Sequence, residues 1–219
     1  MNPTCASLVS RGLLGGVLAA VLAAGCVSTS SSTTAGGHTG PWLAASPTLQ
    51  SQIDDNAKRL PWTHGVERAQ MIQWFASIGE PAYATLLEMT KDPRPDVAGA
   101  AYASLGATRD ARLVEHIHAI PAAAGSADLD YERGRALLRL GDFQAVPSLI
   151  AGLRDERSLA RALCSQTLIE ATHENFGFDP RGEDAAREEA VKKWEAWWAS
   201  RQVDPLISGS KTEEKKASD

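Results

Sequence analysis

The chain has 219 residues, 43% of them hydrophobic and 22% charged, with a formal net charge of −5 at pH 7. That length holds one domain of ordinary size plus non-domain ends, and the composition excludes a wholly disordered chain. Scattered Lys and Arg in a net-acidic chain exclude a basic stripe for nucleic acid.

Residues 1–12 carry a single charge, Arg11, and Leu13 to Ala24 form an apolar run. Twelve residues reach about 18 Å as a helix, short of the roughly 30 Å hydrocarbon core, so the run reads as a signal h-region and not as a span. It ends in Leu22-Ala23-Ala24-Gly25-Cys26, small residues before a cysteine. This resembles a bacterial lipobox. The resemblance implies cleavage between Gly25 and Cys26, acylation of Cys26, and a signal peptide over residues 1–25. Val27 stands where an inner-membrane retention signal has Asp, which implies the outer membrane, facing the periplasm. Residues 26–46, with VSTSSSTTAGGHTG, read as a flexible tether. With Cys5 and Cys26 in or beside the leader, no disulfide is predicted in the folded part, and Cys164 reads as a small buried hydrophobe.

Pro47 to Leu60 predicts a leading helix closed by Pro61. Helix pairs follow at His64–Gly79 with Pro81–Lys91, Pro95–Gly106 with Ala111–Ile120, and Leu129–Gly141 with Ala145–Arg154. A fourth pair runs from Ser158 to about Thr172 and from about Asp184 to Arg201. Val146, Leu149, Ile150 and Leu153 make one apolar stripe, with Pro147 in the first turn where its missing N–H costs nothing. Ser158 is placed to cap the next helix, with Leu159, Leu163 and Leu168 on its inner face. Ile78-Gly79, Leu105-Gly106 and Leu140-Gly141 each read as an apolar residue before a C-cap glycine. A shift of 63 residues aligns Tyr83 with Val146, Leu86 with Leu149, Leu87 with Ile150, Asp92 with Asp155 and Leu105 with Leu168. No stretch alternates with period two, so no sheet is expected.

GDFQAVPSLIAGLRDERSLARALCSQTL and EPAYATLLEMTKDPRPDVAGAAYASLG resemble HEAT repeats: an apolar-Pro start, paired Leu or Ile, Asp at the turn and a Leu-Gly end. The resemblance covers about residues 64–200. It implies an all-α fold, a right-handed α-solenoid of about four helix pairs within a domain spanning 47–205, and residues 206–219 read as a polar disordered tail. EEAVKKWEAWW, after an FG-aromatic-D loop, is similar to the closing segment of bacterial HEAT-repeat proteins and implies a Trp-rich cap. Val191, Trp194 and Trp198 share its stripe as core, while Trp197 lies beside them, half exposed, as a candidate partner-binding residue.

Catalytic signals are sparse. His116 and His118 point about 200° apart on a helix and cannot share a metal. His173-Glu174 lacks the second His of H-E-x-x-H, and Asp179, Glu183 and Asp184 lack EF-hand spacing. The expectation is a monomeric, non-catalytic lipoprotein without metal or cofactor, anchored to the membrane and docking an unknown cell-envelope protein. HEAT-like families also include chromophore lyases, so the alternative is a lyase-like or small-ligand-binding protein using Tyr83, His116 and His118.

Overall fold

The computed structural model describes residues 41–121 and 126–201, and every regular element among them is helical. Cys26, Gly25, the predicted signal peptide, most of the predicted tether and the predicted tail from 206 lie outside the described residues. The helices are α1 (Pro47–Arg59), α2 (Gly65–Ile78), α3 (Glu80–Met89), α4 (Pro95–Ala107), α5 (Leu113–His118), α6 (Ala127–Arg139), α7 (Val146–Gly152), α8 (Ser158–Thr172) and α9 (Asp184–Arg201). Short 3-10 turns at Leu60–Trp62 and Phe143–Ala145 lead into α2 and α7.

Local chemistry sets the boundaries. Ser46 accepts the Leu49 N–H at the start of α1, with Pro47 behind it, and Ser126 accepts the Leu129 N–H at the start of α6. These caps satisfy amides that a helix leaves orphaned. Gly79 and Gly141, at φ 71° and 96°, close α2 and α6 in conformations that only glycine adopts cheaply. Gly106 has a different role from the predicted one. It lies inside α4, and a Cβ there would stand 2.8 Å from the Ala136 backbone on α6. The residue lets two helices approach, and Arg109, at φ 59°, makes the left-handed turn after α4 instead.

Successive even helices pack on one another: α2 on α4, α4 on α6, and α6 on α8. The odd helices pack across this row, α3 against α2 and α4, and α7 against α6 and α8, while α1 lies on α3 and α9 on α7. Most of the residues related by the 63-residue shift occupy matching environments, though Leu87 is half-buried where Ile150 is core. Leu86 and Leu149 are both fully buried, as are Leu105 and Leu168, and Tyr83 and Val146 are core. Each such side chain contributes about 1.5–3 kcal/mol of hydrophobic stabilisation.

The turns match as well. Asp92 accepts the Arg94 backbone N–H and pairs with its guanidinium, and Asp155 does the same with Arg157. Asp110 and Arg112 repeat the arrangement at the turn before α5. The guanidinium of each pair holds its carboxyl below the usual range, down to about 2 at Asp155. These clips stay ionised at any physiological pH and fix the entry of the next helix.

Three further expectations change. Leu159 was placed on the inner face of α8, but it is 69% exposed, because that helix turns Arg161, Cys164, Ser165 and Leu168 inward. Arg157 occupies the N-cap position, so Ser158 is the first helical residue and makes no side-chain cap. The packed region also begins earlier than residue 47. Trp42 is 8% exposed, edge-on to Tyr83 at 5.0 Å, 4.8 Å from His116 and under the Arg112 guanidinium at 5.6 Å. The Leu43 N–H donates to Glu80 at 3.0 Å, and Glu80 in turn binds Arg112. An aromatic side chain with this much surface to bury starts the packed region at Trp42.

Candidate functional site

The open face of the even helices carries a groove. On α4 its floor is Gly99, Ala100 and Ala103, too small to fill the space between α2 and α6. That part encloses about 470 Å³ and is rimmed by Arg68 and Asp96, whose ion pair measures 2.9 Å. A second part, about 240 Å³ between α6 and α8, is lined by Tyr131, Leu159, Ala160, Leu163 and Cys164. Asp128, Glu132 and Arg135 of α6 border both parts, so the two parts adjoin along a face made by α2, α4, α6 and α8.

Its charges are internally paired. Arg135 is buried and donates to Glu132 at 2.6 Å and to Thr167 at 3.1 Å. Burial pushes the Glu132 carboxyl up against the opposing pull of Arg135. Arg157 bridges Asp155 and Asp128 at one lip, and Arg139 reaches Glu170 at 3.2 Å beyond α6. The Cys164 thiol is pushed up to about 12 by burial, which leaves no thiolate at neutral pH and agrees with a packing role. A surface of this kind holds an apolar side chain between satisfied polar walls. It presents no activated nucleophile.

The residues considered for catalysis separate. His116 meets Trp42 at a 55° tilt with ring centroids 4.8 Å apart, whereas the His118 Nε2 lies 2.7 Å from Asp142. Tyr83 donates its hydroxyl to Asp110 at 3.1 Å. Tyr83 and His116 do converge, but on the chain's own Trp42 and not on an open pocket. No group of three or more His, Cys, Asp or Glu among the described residues is arranged to hold a metal ion. His173 is the left-handed residue that closes α8, and Asp179 accepts the Arg181 N–H within its loop.

At the far end, Trp194 and Trp198 are buried with Val191, and Trp197 is half buried. The Trp197 Nε1 donates to Glu174 at 3.3 Å, and the Arg201 guanidinium lies over its ring at 5.6 Å. Its polar edge and one face are therefore already engaged. The cap helix α9 packs chiefly on α7, with Arg154 bridging Glu188 and Glu195 at 2.7 Å each.

Among the features that escaped the sequence are the Trp42 dock, the exposure of Leu159 and the arginine of each turn clip. Only the last left a signal, the recurring Asp-x-Arg at 92–94, 110–112 and 155–157. No family model matches this sequence, and no curated protein is significantly similar to it. No helix among the described residues is long and apolar enough to cross a membrane.

Proposed function

We propose that the chain is a membrane-anchored, non-catalytic scaffold, a right-handed α-solenoid of about four HEAT-like units. Cys26 carries the lipid, and the even-helix groove docks a segment of a cell-envelope protein. The observation that carries this reading is the groove itself, an apolar floor with Leu159 at its mouth and charged walls already paired. Alternating packing of odd and even helices and the matched environments 63 residues apart support the repeat architecture. The occupant that fits is an extended polypeptide inserting one bulky apolar side chain beside Leu159 and Leu163, with its backbone near the Asp128 and Arg157 lip. Leu159 is a better contact than Trp197, whose N–H and ring face are bound within the chain. The lyase-like alternative has less support, because Trp42 fills the space between Tyr83 and His116.

A photoreactive residue at Leu159 should form a covalent adduct with an envelope protein in intact cells. The same residue at Lys91, on the turn between α3 and α4, should not. Ala103→Trp, which fills the groove floor, should reduce capture by a partner without changing the secondary structure. Equal adducts at Leu159 and Lys91 would remove the groove as the docking face.

A further inference from the structure

Trp62 is 80% exposed and Val66 75% exposed, at the turn that joins α1 to α2. The chain has six tryptophans, and the other five are buried or half buried against the core. The turn holds Trp62 outward by construction. Leu60 is fully buried, Thr63 is buried, and the Thr63 hydroxyl donates to the Leu60 carbonyl at 2.8 Å. Pro61 fixes the backbone between them. Trp62 cannot fold onto the core without breaking this turn.

We infer that Trp62, with Val66, inserts into the headgroup–acyl boundary of the bilayer that carries the lipid anchor, as a second and reversible membrane contact. The inference rests on the reading of Cys26 as the acylated residue. Two side chains cover far less than the roughly 800 Å² per partner that a stable protein interface needs, so the patch is too small for a protein to bind alone. A bilayer already tethered to the same chain needs no such area, because the tether supplies the effective concentration. Fourteen residues lie between Cys26 and Pro41, so the two cannot be more than about 50 Å apart. The 13 residues of α1 then carry the chain only about 20 Å further to Trp62. An indole has an apolar body and one polar N–H, which is the chemistry of the interfacial zone.

Charge selects the kind of lipid surface. Lys58 pairs with Asp55 at 3.7 Å and Arg59 with Glu67 at 3.2 Å, so the basic groups beside Trp62 are offset by acidic ones. The contact is apolar and does not depend on anionic lipid.

The test uses the full acylated protein reconstituted into phosphatidylcholine vesicles, with acyl chains brominated near the headgroup or unbrominated. Wild type should lose on the order of a sixth of its tryptophan emission on brominated vesicles, the share of one emitter among six. Trp62→Ala should lose none, while floating with the vesicles and melting as wild type does. Equal quenching of both proteins, or no quenching of floating wild type, overturns the inference and leaves the anchor intact. A protein that does not float overturns the anchor, and the inference falls with it.

Discussion

Trp194→Ala should cost about 3–5 kcal/mol of stability, the usual range for deleting a fully buried aromatic side chain. Trp194 has no exposed surface, meets Phe176 edge-on at 4.8 Å and Trp197 edge-on at 5.6 Å. Removing it empties the space between α9 and the loop that holds Phe176, and the rigid helices on either side cannot close over a void of that size. Trp197→Ala should cost much less, about 1–2 kcal/mol. It removes one hydrogen bond to Glu174 and one partly solvated contact with Arg201. Urea denaturation of both variants decides the matter. Similar losses would mean that the cap is not built around Trp194.

Arg161→Met should cost about 2–4 kcal/mol, because it removes a buried guanidinium and with it charged hydrogen bonds to three part-buried carbonyls. Arg161 is buried, and its guanidinium donates to the carbonyls of Asp155, Glu156 and Pro180 at 2.5–2.9 Å. One side chain thus joins the α7–α8 turn to the loop before α9, 19 residues further on. Methionine fills much of the volume but leaves all three carbonyls without that donor. Lysine keeps the charge but offers a compact ammonium in place of a planar fork, so Arg161→Lys should recover less than half of the loss. Amide exchange along residues 173–183 should rise in both variants. Full recovery by lysine would show that charge alone, and not the fork, holds the loop.

Much of the helical layout was legible because its signals are local. Prolines 47, 81, 95 and 147 each fall in the first turn of a helix, and the Leu149 and Leu86 stripes keep their period through each helix. The 63-residue self-match marked residues most of whose environments agree in the fold, Leu87 against Ile150 being the exception. Features that depend on distant elements were not legible. Gly106 looks like a helix terminator until α6 is known to cross it at Ala136. Leu159 looks like core because its spacing to Leu163 fits a stripe, but the inner face of α8 was set by Arg161 and Cys164. Trp42 followed a polar stretch and read as the end of a tether, since nothing near it in sequence reveals the Tyr83–His116–Arg112 setting. The groove was hidden for the same reason: it exists because small residues of α4 face larger ones on α2 and α6.

The proposed attachment at Cys26 would determine where the groove is displayed and which proteins can reach it, and the proposed Trp62 contact depends on it. Two ester-linked chains and one amide-linked chain would hold the protein on a bilayer, since each buried CH₂ contributes about 0.8 kcal/mol. The most direct measurement is the intact mass of the wild-type chain extracted from membranes with detergent, followed by fragmentation of its N-terminus. The expected result is a chain beginning at Cys26 and carrying the mass of its acyl groups, with Cys26→Ser lost from the membrane fraction or retained at precursor length. An unacylated wild-type chain in the soluble periplasmic fraction, beginning at a residue other than Cys26, would contradict it.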